Sequence, residues 1–262
     1  MKLPKLPFIR IIILSFVISL LCTGCSKTGT ENSLLKKSDR IESPDVGKIK
    51  AINLGDAGAF SILAYSGISS VPYSKISGKV GLTPGIREQI ILDPSEVSGG
   101  ADAIMSNDNE TFSSDLLNNA KADMITAYFA AVNISSDKDK IEIHDGVLDD
   151  KTLFPGVYEW NSSMSINKDF TLQGNDSDIW IFKIKGHLNI GEGVRLILAG
   201  GARAENILWQ VAGRVVLESE ANFSGTILSQ PSIEMKNRSV LTGRAFCKNG
   251  FVTLNRAMIR NP

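Results

Sequence analysis

The second half of the chain repeats itself at short, nearly constant intervals, and few folds tolerate that. Phe223-Ser224-Gly225 returns as Leu241-Thr242-Gly243 eighteen residues later. Val215 returns as Ile233 at the same offset, and Ile233 as Val252 one residue further on. Short apolar runs fill the intervals, from Trp180-Ile181-Phe182-Lys183-Ile184 to Val252-Thr253-Leu254. Three short strands per repeat at this period predict a β-helix, in which each coil stacks on the last. A β-sandwich would explain alternating apolar residues but not a fixed offset. The step from Leu188 to Val215 is longer and predicts an extra loop around Ala199 to Glu205.

Side chains alternate across a strand, so the repeat also predicts which residues stack. Leu188, Val215, Ile233 and Val252 form one inward column; Ile190, Leu217, Met235 and Leu254 form the next. Gly225 and Gly243 recur where a bend or a close backbone approach needs no side chain. Outward, the same register predicts a column of Ile197, Ser224 and Thr242, beside a mixed one of Arg195, Asn222 and Val240. The neighbouring face presents Arg214, Glu218, Glu234 and Lys236.

One helix is predicted, over about 112–133. Leu116, Leu117, Ala120, Met124, Ala127, Tyr128 and Ala131 recur at helical spacing, with Ser113 and Ser114 as candidate N-caps and Asp115 in the first turn. Its single apolar face predicts packing along the side of the solenoid. Before it, Phe60-Ser61-Ile62-Leu63-Ala64 and Ile76 to Leu82 read as strands, and Ile76-Ser77-Gly78 echoes the later Phe-Ser-Gly. The chain is therefore predicted to begin a stack, leave it for the helix, and return to complete it.

The first residues read as targeting. Lys2, Lys5 and Arg10 precede an apolar run, Ile11 to Leu21, too short to span a bilayer comfortably. It ends in Leu21-Cys22-Thr23-Gly24-Cys25, which resembles the lipobox of bacterial lipoproteins, with Cys22 where that pattern usually has Leu. The expected organisation is a lipoprotein signal peptide over 1–24, a polar tether over 25–48 and one domain over 49–262. Cys25 is the expected lipidation site, a bilayer the expected anchor, and the outer membrane or cell surface the expected location, since Ser26 rather than Asp follows the cysteine. Cys22 and Cys25 are then accounted for, so Cys247 is left alone and is expected to be a small buried filler. No disulfide framework can hold the domain.

Twenty-eight basic residues balance 28 acidic ones, which speaks against a nucleic-acid partner. No HExxH, GxSxG or P-loop motif is present, so no catalytic residue, metal ligand or cofactor is assigned and an enzyme is not expected. His144 and His187 stand alone. Asp145, Asp149, Asp150, Asp176 and Asp178 are placed in turns. Asn107-Asp108-Asn109-Glu110 lacks the glycine of a calcium loop. Trp180 and Trp209 occupy corresponding places one repeat apart and are read as core.

A family resemblance rests on Leu54-Gly55, Phe60-Ser61-Ile62-Leu63-Ala64, Gly81-Leu82-Thr83-Pro84-Gly85, Leu153-Phe154-Pro155-Gly156-Val157-Tyr158, Ile179 to Ile184, Asn206 to Val211, Phe223 to Leu228 and Val252-Thr253-Leu254. In this order they resemble the bacterial and fungal ice-binding proteins of the DUF3494 type, from about Ile52 to Ile259. The resemblance implies a mostly β fold: a discontinuous right-handed β-helix, a triangular solenoid, with one long α-helix packed alongside. It also implies adsorption to an ice crystal surface, as in antifreeze and ice recrystallisation inhibition.

Members that bind ice often carry a T-A/G-x-T/N pattern at the corner leading into the binding face. Ser219-Glu220-Ala221-Asn222 and Asn237-Arg238-Ser239-Val240 occupy the matching places, with Glu220 and Arg238 departing at the second position. The candidate contacts are Ser219, Asn222, Ser224, Ser239 and Thr242, on a chain expected to act as a monomer. The alternative is a cell-surface adhesion or scaffold module on the same fold, meeting extracellular polysaccharide or protein.

Overall fold

The computed structural model of the chain describes residues 49–108 and 113–262. The expected signal peptide, Cys25 and the tether lie outside those residues. So do the side chains of Ser113 and Ser114, the expected helix caps.

The chain first lays down β1 (Phe60–Ala64), β2 (Gly67–Val71) and β3 (Lys75–Ile76), one on each side of a three-sided coil. It continues with β4 (Lys79–Leu82), β5 (Ile90–Ile91) and β6 (Ile104–Ser106), then enters α1 (Ser113–Asn133). After α1 come β7 (Thr152–Leu153), β8 (Gly156–Trp160), β9 (Met164–Ile166), β10 (Phe170–Gln173), β11 (Trp180–Ile184), β12 (Leu188–Ile190) and β13 (Leu196–Ala199). The last coils are β14 (Ile207–Val211), β15 (Val215–Leu217), β16 (Asn222–Ser229), β17 (Ser232–Met235), β18 (Val240–Cys247), β19 (Phe251–Asn255) and β20 (Met258–Arg260).

Every strand pairing is parallel, and three faces result. Face one runs β6-β4-β1-β18-β16-β14-β11-β8, and face two runs β5-β2-β19-β17-β15-β12-β9. Face three runs from β7 through β10 and β13 to the first halves of β16 and β18, then to β20 and β3. The order shows the discontinuity. β1 lies against β18, so the first coils sit on the last ones, and α1 carries the chain from one end of the stack to the other. The lengths agree. A helix of 21 residues spans about 31 Å, and seven steps between eight strands span about 33 Å.

The predicted registers hold. Leu188 pairs with Val215, Val215 with Ile233, and Ile233 with Val252, each fully buried. Ile190, Leu217, Met235 and Leu254 follow in the second column. Ile76 aligns through Ile259 with Leu241 and Phe223, so the Ile-Ser-Gly echo is structural. The extra loop follows β13, with a short 3-10 turn at Ala204–Asn206. Gly225 and Gly243 lie within β16 and β18, where each strand turns from face three into face one, with φ of +113° and +155°.

Burial of apolar side chains from all three faces holds the stack together. Within it, Tyr158, Phe182, Trp209 and Phe223 form a pile with ring centroids 5.2, 3.9 and 4.7 Å apart. Trp180 and Trp209 are both fully buried, but they do not correspond. Trp180 pairs with Ile207, and Trp209 pairs with Phe182. The two segments are offset by two residues relative to the alignment by tryptophan, because register follows the whole apolar run rather than one residue.

A second apolar layer lies outside face one. Leu117, Ala120, Met124, Ala127, Tyr128 and Ala131 of α1 pack on Phe60, Leu63, Val157, Ile181, Leu208, Leu228 and Phe246. Cys247 is buried and unpaired.

Candidate functional site

Among the described residues, α1 packs on face one and leaves faces two and three as the broad uncovered surfaces. Their outward columns follow from register. On face three, Thr152 pairs with Thr171 and Thr171 with Ile197. The Arg195–Asn222 bridge then sets Ile197 beside Ser224; Ser224 pairs with Thr242 and Thr242 with Arg260. Five consecutive coils thus present Thr152, Thr171, Ile197, Ser224 and Thr242 with no ionised group among them. At about 4.8 Å per coil this row is some 19 Å long. Ile197 is 43% exposed, whereas Ser224 is 6% exposed and lies deepest in the row. The loop after β13 borders the row on the face-one side.

The second column of face three is mixed. Asn222 pairs with Val240 and Val240 with Met258, and Met258 with Lys75. Arg195 stands beside Asn222 and is held down by Asp169, with Nη2 2.6 Å from Oδ2. The Arg195 guanidinium and backbone N–H hold the Asp169 carboxyl below the usual carboxylate range.

The corner between faces two and three explains the departures at Glu220 and Arg238. Gly193, Glu220, Arg238 and Arg256 all have left-handed φ, between +49° and +69°. A side chain there projects from the corner, not from the face. Glycine, which has no Cβ, suits such a position best. Here Glu220 and Arg238 form an ion pair with each other.

The five candidates therefore divide. Asn222 is exposed, Thr242 and Ser219 are half-buried, and Ser224 is nearly covered. Ser239 has no exposed surface, and its Oγ donates to the Lys236 carbonyl at 2.7 Å. The left-handed turn at Arg238 directs Ser239 inward, so it is a corner hydrogen-bonding residue and is removed from the contact surface. Thr152 and Thr171 were not among the candidates. Their strands are short and lie upstream of the regular repeat; the remaining clue was a threonine at alternate positions beside Leu153 and Leu172.

Face two has the more regular backbone but carries charge at its middle. Its central outward column is Ser165, Asn189, Val216, Glu234, Thr253, Ser69 and Ile91. Lys236 lies 3.5 Å from Glu218 and 3.9 Å from Glu234, and Arg214 is exposed nearby.

The other residues considered for chemistry have local roles. His187 Nδ1 accepts from the Arg214 N–H at 3.0 Å. Asp149 accepts from the Asn167 N–H and Asp178 from the Asn175 N–H, both at 2.8 Å. Among the described residues, no group of three or more His, Cys, Asp or Glu side chains is placed to hold a metal ion.

An all-parallel, three-sided stack of coils, one side packed by a crossover helix and another bearing a row of uncharged side chains, defines a discontinuous β-solenoid. Residues 62–260 match the Ice-binding-like family, and the chain belongs to it. An ice-binding protein of Flavobacterium frigoris is 34% identical, over 97% of this chain and 98% of its own length. Ice-binding protein K3-B1 of Typhula ishikariensis is 40% identical over 74% of this chain and 83% of its own. Among solved structures, a glycosylated ice-binding protein from an Arctic yeast superposes with a TM-score of 0.78 at 35% identity, over 82% of this chain and 96% of that one. These relatives lend nothing to the adhesion or scaffold alternative.

Proposed function

We propose that this protein adsorbs to ice through face three, along the row Thr152, Thr171, Ile197, Ser224 and Thr242. The row is the observation that carries the assignment. Ice offers neither a pocket nor a charge, only a lattice of water, so a protein meets it with many weak contacts held rigidly at once. Short side chains that combine a methyl with a hydroxyl do this on a stiff backbone, and parallel coils supply the even spacing. Long ionised side chains are strongly hydrated and break such an array. That favours face three over face two, where Glu218, Glu234 and Lys236 occupy the centre.

The same reading makes the protein non-enzymatic, exported, and held at the outer membrane or cell surface by lipid on Cys25. One acyl chain gives marginal membrane binding and several give firm anchoring. Cys25→Ser should move the protein from the membrane fraction to the soluble one; unchanged fractionation rejects the anchor.

The face is tested by thermal hysteresis of the full chain. Thr242→Tyr and Thr171→Tyr place a bulky ring on the row and should reduce hysteresis to near the buffer baseline with unchanged melting temperature. Thr253→Tyr, on face two, should leave it intact. The reverse pattern transfers the assignment to face two, and full hysteresis in all three variants rejects both.

A further inference from the structure

α1 does not run straight up face one; it crosses it diagonally, and the sheet dictates the path. In one outward column Val157, Ile181 and Leu208 are followed by Thr226 and Arg244. In the next, Glu159, Lys183 and Gln210 are followed by Leu228, Phe246 and Leu63. The helix follows the apolar residues from one column to the other, which leaves a polar wedge on each side of it. The wedge at Thr226 and Arg244 is filled by the chain itself: Arg244 Nε donates to the Gly58 carbonyl at 3.1 Å, and the Ala204–Asn206 turn packs against β16 and β18. The opposite wedge is open, a groove of about 490 Å³.

We infer that this groove binds an acidic sugar unit, as found in uronate-bearing polysaccharides, independently of ice. Gln210, only 4% exposed, is on its floor, and the Gln230 carboxamide, whose oxygen accepts from the Tyr128 hydroxyl at 3.4 Å, stands beside it. These are donors and acceptors suited to sugar hydroxyls. Phe129, nearly half exposed, and Val132 supply an apolar wall for the face of a pyranose ring. The charge is uneven. Lys183 and Lys185 share Glu159, with ammonium–carboxylate distances of 2.9 Å each. Among the described residues Lys248 pairs with no carboxylate; its Nζ rests over the rings of Tyr128 and Phe129, 4.8 and 4.7 Å from their centroids. The Lys183 ammonium is spent on Ile134, Ser136 and Glu159, so the groove presents Lys185, paired with Glu159, and Lys248, which is placed to receive an anion. The groove opens on face one, so it stays accessible when face three is occupied.

The test is equilibrium dialysis of the full chain against end-labelled hexagalacturonate, with neutral cellohexaose as the comparison. The acidic oligomer should bind saturably and at least tenfold more tightly than the neutral one. Lys248→Glu should weaken it at least tenfold, and Lys248→Gln by less, each with an unchanged circular dichroism spectrum and thermal hysteresis. No saturable binding of the acidic oligomer, equal binding of both sugars, or wild-type affinity in Lys248→Glu overturns the proposal. Should Lys248→Glu fail to fold, Gln210→Glu, which adds a negative charge to the floor, is expected to weaken binding equally, and undiminished affinity there overturns it.

Discussion

Lys183 donates to the main-chain carbonyl of Ile134, at 2.9 Å, one residue beyond the end of α1. The same ammonium reaches Ser136 Oγ at 3.1 Å and Glu159 Oε2 at 2.9 Å, so one side chain fastens the exit of the helix to β11, next to the end strand β8 of face one. Lys183 is nearly buried, and its bonds are screened far less than those of a surface pair. Lys183→Met should remove the cation, leave the Ile134 carbonyl without this donor, and cost about 1–3 kcal/mol. Thermal unfolding checks it, with an expected fall in Tm of several degrees for a domain of this size.

Glu159 gives that fastening a pH limit. The Ser136 hydroxyl, then Lys185 and Lys183, hold its carboxyl down to about 2. A carboxylate with a lowered folded pKa contributes stability that is complete above its unfolded value, near 4.5, and is lost as pH falls toward 2. Acid unfolding of wild type should therefore steepen between these values. Glu159→Gln should be less stable at neutral pH and show a shallower decline over the same interval.

Trp209 joins the aromatic pile to the proposed ice row, since its Nε1–H donates to the Ser224 carbonyl at 3.0 Å. Trp209→Phe keeps an aromatic ring but leaves that buried carbonyl without its donor, at a cost of about 1–3 kcal/mol. Hysteresis at equal concentration should fall too, because Ser224 loses a bond that, beside its ladder pairing with β18, holds its backbone. Trp209→Ala should cost about 3–5 kcal/mol. Denaturant unfolding and hysteresis on the same samples separate the two effects.

Gly225 stands at φ +113°, and a Cβ there would lie 2.8 Å from both Ile207 Cγ2 and the Ile207 carbonyl oxygen. Gly225→Ala should cost more than 2 kcal/mol, combining backbone strain of about 1–3 kcal/mol with overpacking. Gly193, at φ +69°, meets nothing within 4 Å, so Gly193→Ala should cost only its backbone strain. The difference between their urea midpoints measures the crowding.

Burial pushes the Cys247 thiol up to about 11, so its thiolate is scarce at neutral pH. Under native conditions Cys247 should escape alkylation by iodoacetamide at pH 8 and react only after unfolding, as read by peptide mapping. Rapid native labelling would contradict the buried placement.

The coils were legible in the sequence because the residues that set their register are the buried ones. Val215, Ile233 and Val252 must stack to fill the interior, and the interval between them is the circumference of a coil. Corners were less legible. Glu220 and Arg238 look like intrusions on a binding face until their left-handed backbone is seen to turn them to the edge, and Ser239 looks exposed until the same turn sends it inward. Thr152 and Thr171 escaped notice because two- and four-residue strands carry too little pattern, and their partners are fixed only once the stack closes. The diagonal course of α1 depends on Leu228 and Phe246 falling beside Gln210, a relation between distant segments that no local spacing displays.

β20, the last strand, is clasped between β18 and β3, and β1 leans on β18. The opening coils therefore lack one neighbour until β18 and β20 have been synthesised, and contacts so distant along the chain close late. A polypeptide arranged in this way keeps its seam open during translation.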